Sequence, residues 1–474
     1  MSYQLTMREE FDCNRDARDI FDYIVDFSRI DEWDQTIISA EKVSAGAIQQ
    51  GSKFDLMYAM GLRRVPIQYE ITEYDSPHRA VLTGKSRNFT AVDTVEIVPG
   101  ENGCHVNWTA QIEFLGAAAK LVPLMESKII AAGSQTIKNL AKALDDNYPV
   151  PELNLSQKLA DQFILPGVLG FSTLGLNRVR KLWQPVTASM RGKHVVITGA
   201  TSGLGLATAH ELAHRGAELT LVVRDQAKAD AVVQEIEEST GNSSLQVELA
   251  DLSLMQDVIA LGERMLAQGK PIDVLINNAG ALLNPRQETT EGIETSFALL
   301  LLGPYILTEM LQPLLRDAGQ ARVINVSSGG MYGKRISLSN LESTKGEYGG
   351  ADAYARAKRG LVIMGERWAE HWAQDGITVH NMHPGWAKTP GVETSLPGFT
   401  KITNRILRTP EEGADTIIWL ANATEVGKTS GLFWFDRFPH TTHLTGNTRE
   451  TAEQRDALER ALIEYWGRFN AKAA

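Results

Sequence analysis

Cysteine is scarce in this chain. Only Cys13 and Cys104 occur among 474 residues, too few for a disulfide framework or a structural zinc site, and this predicts a reducing compartment, the cytoplasm by default. Basic charge is short as well: 47 Lys and Arg against 58 Asp and Glu leave a net charge of −11. That balance excludes broad electrostatic attraction to nucleic acid or to an anionic membrane surface. The uncharged stretch Phe163 to Asn177 is shorter than the ~18 residues a spanning helix requires and is broken by Pro166, Gly167, Gly170 and Gly175. Membrane contact is therefore not expected. The first residues alternate polar and apolar and carry Glu9, Glu10 and Asp12, unlike the basic-then-apolar plan of a secretory signal. What is present is a composition of 43% hydrophobic and 22% charged residues, that of globular protein, and at roughly 150 residues per domain it predicts two to three domains.

Residues 1–148 read as one α+β unit. Apolar side chains alternate in Tyr3, Leu5, Met7 and again in Val106, Trp108, Ala110, Ile112, Phe114, the period of strands with one buried face. Pro99-Gly100-Glu101-Asn102-Gly103 joins Val92–Val98 to the strand beginning near Cys104 as a hairpin. Short helices are expected over 16–34. A helical stripe from Ala117 to Asp145, through Leu121, Met125, Ile129, Gly133, Ile137, Leu140 and Leu144, is placed across the open sheet face. This order, with Asp31-Glu32-Trp33-Asp34 after the short helices, resembles the START-like, polyketide-cyclase-like superfamily of helix-grip folds. The resemblance implies a hydrophobic pocket for a lipid or polyketide ligand. Tyr58, Tyr69, Tyr74 and Trp108 are candidates to line it or to fill a solid core.

Residues 149–190 form a connector with Pro149, Pro151, Pro166 and Pro185, an apolar middle and a basic end at Arg178, Arg180 and Lys181. It reads as a segment docking between domains, with an interfacial membrane foot as the alternative. From 191 to 474 the pattern becomes strand, loop, helix, repeated, with strands at Val195–Thr198, Leu219–Val223, Leu245–Leu249, Val274–Ile276, Val323–Val326 and Val379–Met382. That alternation predicts an α/β domain, a Rossmann-like doubly wound parallel sheet.

His194 to Gly205 reads H-V-V-I-T-G-A-T-S-G-L-G, a buried strand entering a glycine loop that opens a helix. Gly199, Gly203 and Gly205 leave room for a tight turn, for a pyrophosphate and for helix packing, while the helix N-terminus offers amide donors. A second turn, Asn277-Asn278-Ala279-Gly280, follows another strand. Tyr354 and Lys358 are four apart on a predicted helix and share a face, so the ammonium is expected to lower the phenol pKa towards working pH.

Thr198 to Gly205 with T-G-x-x-x-G-x-G spacing, Asn277-Asn278-Ala279-Gly280, Ser327-Ser328, Tyr354-x-x-x-Lys358 and His383-Pro384-Gly385 occur in one order. Together they resemble the short-chain dehydrogenase/reductase family over about 191–445. The resemblance implies an NAD(P)-dependent oxidoreductase acting on CH-OH or C=O groups. It implies Tyr354 as general acid or base, Lys358 as holder of the nicotinamide ribose, and Ser328, the second of the serine pair, as hydrogen-bond donor to the substrate oxygen. Thr198, Gly199, Ser202, Gly203, Leu204 and Gly205 are implied around the pyrophosphate and Asp251 and Leu252 at the adenine edge; Asn278, Ala279, Gly280, Pro384, Gly385 and Thr389 are implied as further cofactor-binding residues. Asp251 is alternatively a helix cap. It also implies a homodimer or tetramer, which the additional domain is able to block.

Arg224, at the end of the second strand, favours a 2′-phosphate and hence NADP over NAD, although Asp225 follows immediately. Leu300 stands where the family usually has an asparagine that holds a water in a proton relay, and leucine cannot bind that water. This leaves three outcomes open: a backbone carbonyl substitutes, turnover is slow, or the protein binds or senses NADPH with little catalysis. Trp386 to Leu407 corresponds to the family's substrate-covering segment and, being apolar, suggests an apolar small-molecule substrate or plain packing. His380 and His383 lack a neighbouring acidic or Cys ligand, so no metal is assigned.

Overall fold

Alternating side chains in the first part of the chain become a seven-stranded antiparallel sheet in the computed structural model, which describes residues 2–60, 63–145, 148–153, 170–388, 406–444 and 446–470. The strands are β1 Ser2–Cys13, β2 Ile37–Lys42, β3 Lys53–Met60, β4 Arg63–Asp75, β5 Arg79–Lys85, β6 Phe89–Gly100 and β7 Gly103–Leu115, with spatial order β1-β7-β6-β5-β4-β3-β2. Helix α1, Ala17–Val25, is capped by the Asp16 carboxylate accepting from the Arg18 amide. Helix α2, Glu126–Leu144, crosses β1 so closely that a Cβ on Gly133 would lie 2.6 Å from the Met7 methyl. The helix expected over 117–145 is broken. Val122–Leu124 forms a 3-10 turn around Pro123, which has no N–H to give. Leu121, Leu124 and Met125 are exposed as a result, and the buried stripe is confined to Ile137, Leu140, Ala143 and Leu144.

The aromatic residues of this unit form a packed core. Phe27 meets Tyr69 edge-on at 4.9 Å, and Trp33 meets Trp108 at 5.8 Å. At their centre is a residue that sequence periodicity did not single out: Asp93, buried, accepts from Tyr69 Oη and Trp108 Nε1, each at 3.0 Å. Burial raises its carboxyl pKa to about 6.

The chain divides into two units: Met1–Tyr148 with Gln184–Ser189 and Glu237–Gly241, and Pro149–Trp183 with Met190–Ile236 and Asn242–Ala474. The connector expected as one piece over 149–190 is thus shared between them. The apolar positions 163–169 lie outside the described residues.

The second unit carries an eight-stranded sheet. Its elements are α3 Thr173–Val179, β8 His194–Thr198, α4 Gly203–His214, β9 Glu218–Val223, α5 Gln226–Thr240, β10 Leu245–Leu249, α6 Met255–Gln268, β11 Val274–Asn277, α7 Gly303–Asp317, β12 Ala321–Val326, α8 Gly350–His371, β13 Ile377–Met382, α9 Pro410–Asn422, β14 Phe433–Phe435, β15 Phe438–His440 and α10 Ala452–Asn470. The order is β10-β9-β8-β11-β12-β13-β14-β15, all parallel pairings except β14 with β15. After β8 the chain builds to one side and then returns to start β11 on the other, so a crevice opens between their carboxyl ends. The run Thr295–Asp317 is the one described helix long and apolar enough to cross a membrane, and 72% of its apolar window is buried in the fold.

Three asparagines cross the sheet in register. Asn277 Nδ2 donates to Asn325 Oδ1 at 2.9 Å, and Asn325 Nδ2 to Asn381 Oδ1 at 3.0 Å. All three are buried. Helix α8 presses on this ladder at Gly365, where a Cβ would come within 2.2 Å of Asn381 Oδ1. The ladder fixes the relative heights at which the loops after β11, β12 and β13 leave the sheet. Replacing Asn325 with Leu strands a buried donor and a buried acceptor at once; urea denaturation is expected to show a loss of about 2–6 kcal/mol at ~1–3 per orphaned group.

Candidate active site

The loop after β8 is shaped by two close approaches. Gly199 has φ +70°, and a Cβ there would sit 2.9 Å from Ala279 Cα. A Cβ on Gly205 would fall 2.2 Å from the Gly199 carbonyl and 2.5 Å from Asn278 Nδ2. Only glycine lets α4 begin this near the strand end. The Ser202 side chain makes no capping bond, so the first amides of α4 are left for an acceptor in the crevice.

Thr198 does not act as expected. It is 2% exposed and lies behind the wall, where its hydroxyl accepts from the Asn278 and Ala279 amides, each at 3.0 Å, and donates to the Ile276 carbonyl at 3.2 Å. Asn278 Nδ2 returns a bond to the Thr198 carbonyl at 2.8 Å. Thr198 braces the two strand ends instead of touching a ligand.

The crevice has a volume of about 540 Å³. Gly199, Ser202, Gly203, Leu204 and Gly205 line it, with Arg224, Asp251 and Leu252. Asn278, Ala279, Gly280, Ser328, Tyr354 and Lys358 line it as well, together with Pro384 and Gly385. Thr389 lies outside the described residues. Arg224 reaches the wall while Asp225 is turned to α5, where it accepts from the Lys228 amide at 3.2 Å. Asp251 lines the crevice and accepts from the Ser253 amide at 2.9 Å, a bond within its own turn; it does not cap α6, whose first amides donate to Glu291.

Tyr354 and Lys358 occupy successive turns of α8, and both line the crevice together with Ser328. Ser327 is committed elsewhere, donating to the Lys358 carbonyl at 3.2 Å. Lys358 Nζ donates to the Val326 carbonyl at 2.6 Å. The expected lowering of the phenol pKa is not what the geometry gives. Burial pushes Tyr354 up to about 12, with Ser328 offsetting part of the rise, and burial lowers Lys358 to about 8. Desolvation penalises the charged form of each and is the largest cause for both. Leu300, fully buried in a π-helical turn at Ala298–Leu302, packs 3.0 Å from where a Gly280 Cβ would be.

The short chain dehydrogenase profile matches residues 193–397, and that of polyketide cyclase / dehydrase and lipid transport matches 4–145. Human dehydrogenase/reductase SDR family member 12 is 41% identical over 274 residues, covering 58% of this chain and 84% of that protein. The chain belongs to the short-chain dehydrogenase/reductase family. Human retinol dehydrogenase 11 is 34% identical over 237 residues, 50% of this chain and 74% of that protein. Among solved structures, L-sorbose reductase from Gluconobacter frateurii with NADPH and L-sorbose is 23% identical, with 52% of this chain and 96% of that one covered at a TM-score of 0.44.

This short-chain dehydrogenase/reductase is an NAD(P)-dependent oxidoreductase fused to an N-terminal polyketide-cyclase-like domain. Its motif residues explain the crevice floor, but the wall also includes Leu282, Leu299 and Ala351, which no motif marks. The asparagine ladder was legible in principle, because each member interrupts an apolar strand with a polar side chain. Gly205→Ala tests the cradle: nicotinamide nucleotide affinity, followed by NADPH fluorescence, is expected to fall at least about tenfold as the new methyl forces the Gly199 carbonyl away.

Proposed function

We propose that this enzyme transfers a hydride between NADP and a carbonyl or alcohol carbon of an apolar small molecule. The meeting of Ser328, Tyr354 and Lys358 in the same crevice as the glycine cradle carries the reading. The cradle fits a dinucleotide, since Gly199 and Gly205 bring the loop against the start of α4 and the Ser202 side chain leaves the first helix amides uncapped at the crevice. NADPH bound there supplies the hydride.

The protein residues supply placement and a proton. Ser328 Oγ donates to the substrate oxygen and holds the carbonyl near Tyr354. Tyr354 keeps its proton at neutral pH, its pKa lying near 12, so Oη serves as the acid that completes reduction. Lys358, cationic below its pKa of about 8, stabilises the phenolate left behind and holds the ribose. The protonated phenol is the form that reduction requires. Arg224 on the wall, with Asp225 committed to α5, supports NADP. Leu282, Leu299 and Trp386 add apolar lining to the crevice and support a hydrophobic substrate. The match of residues 4–145 to the polyketide cyclase / dehydrase and lipid transport profile supports a lipid or polyketide ligand for the N-terminal domain, and Cys13 and Cys104, which form no disulfide, support a cytoplasmic location.

Leu300 favours a second reading, in which turnover is slow and the protein mainly binds or senses NADPH. NADPH consumption over a panel of aldehydes and ketones separates the two; a melting temperature raised by NADPH with no consumption supports sensing. Tyr354→Phe is expected to lower kcat by about 10²–10⁴ with NADPH binding retained, and unchanged turnover would remove Tyr354 from the mechanism. The rate of reduction is expected to decline above about pH 8, as Lys358 loses its charge. Arg224→Ala is expected to cost about tenfold or more in NADPH affinity and little in NADH affinity, measured by titration of each.

A further inference from the structure

We propose that Phe171, carried by the connector ahead of the dehydrogenase profile, is a substrate-positioning residue of the active site. The proposal rests on Ser328 and Tyr354 acting as described above.

Residues 170–173 join two pieces of chain that border the crevice: Trp386, just past β13, and Ile406–Arg408, leading into α9. The Phe171 carbonyl accepts from the Trp386 amide at 2.7 Å. The Thr173 amide donates to the Ile406 carbonyl and its hydroxyl to the Leu407 carbonyl, both at 2.9 Å. Arg408, 1% exposed, donates to the Gly170 carbonyl at 2.8 Å while paired with buried Asp436 at 2.5 and 2.9 Å. Two buried charges satisfied this way hold the connector to one position. Gly385 records how close it comes: with φ +77°, its Cβ would lie 2.8 Å from the Phe171 carbonyl.

The ring itself faces the serine turn. A Cβ on Gly329 would be 2.9 Å from the Phe171 ring, which also packs edge-on against His383 at 4.3 Å and Trp386 at 5.9 Å. Gly329 directly follows Ser328, and the Ser328 hydroxyl accepts from the Gly330 amide at 3.2 Å. A ring pressed on this turn therefore sets the direction in which Ser328 Oγ points, and through Trp386 it reaches another lining residue of the crevice. The ring meets Gly329, His383 and Trp386, none of them part of the glycine cradle at Gly199–Gly205. Phe171 should accordingly act more on how the carbonyl is held than on the grip of the cradle on the nucleotide.

The test uses the full-length chain with NADPH and three probes, benzaldehyde, octanal and 2-octanone. Phe171→Ala is expected to lower kcat/KM for the carbonyl about tenfold, with the NADPH dissociation constant changed by no more than about twofold. Phe171→Leu should fall between, and it carries the test if the alanine variant does not fold. Gly329→Ala, which collides with the ring, should also lose activity, whereas Phe171→Ala/Gly329→Ala should lose less than the product of the single effects, because the collision is gone. Single losses that multiply, a shift in melting temperature alone, or an equal loss of NADPH affinity would each overturn the proposal. A wild-type chain inactive with every probe would overturn the oxidoreductase reading and this one together; an active wild type with unaffected variants would remove only this one.

Discussion

Where β8 and β11 diverge, one threonine hydroxyl receives two backbone amides of the neighbouring strand's loop, and the asparagine of that loop donates back to the threonine carbonyl. Parallel strands splay beyond their last ladder bond, so the crevice between them needs such a splice to keep a fixed width. Everything that makes the site specific is measured from it. Gly199 and Gly205 are glycines because the spliced loops approach too closely for a Cβ. The asparagine ladder, one residue before Asn278 and three before Ser328, extends the same constraint across three strands.

Dryness is the second organising condition. Tyr354 and Lys358 share a helix face, but both are buried, and desolvation moves the phenol up and the amine down. A phenol that holds its proton suits the reductive direction, and an amine poised near pH 8 makes the charge of the site depend on mild alkalinity. The N-terminal domain shows the same physics in another setting. Asp93, among Phe27, Trp33, Tyr69 and Trp108, is tolerated because two donors reach it.

Much of the fold was legible because period-2 and strand-loop-helix patterns survive without any knowledge of neighbours. The six strands expected after residue 191 match β8 to β13 to within about two residues at their ends, a margin ordinary for such assignments. The helix over 117–145 was less legible, since hydrophobic spacing continues through Pro123 although the backbone hydrogen bonds do not. Of the described residues assigned to the cofactor or to catalysis, all but Thr198, whose hydroxyl faces Asn278 and Ala279, line the crevice.

The sequence by itself determined the two-part architecture, the parallel order of elements and the cofactor cradle, because glycine spacing, strand period and the Tyr354–Lys358 repeat are local properties of the chain. Tertiary structure alone decided the protonation of Tyr354 and Lys358, the turning of Asp225 away from the crevice, and the arrival of Phe171 beside Gly329. These depend on what lies close in space, on burial and on chain segments far apart in number, and no window along the sequence contains both partners.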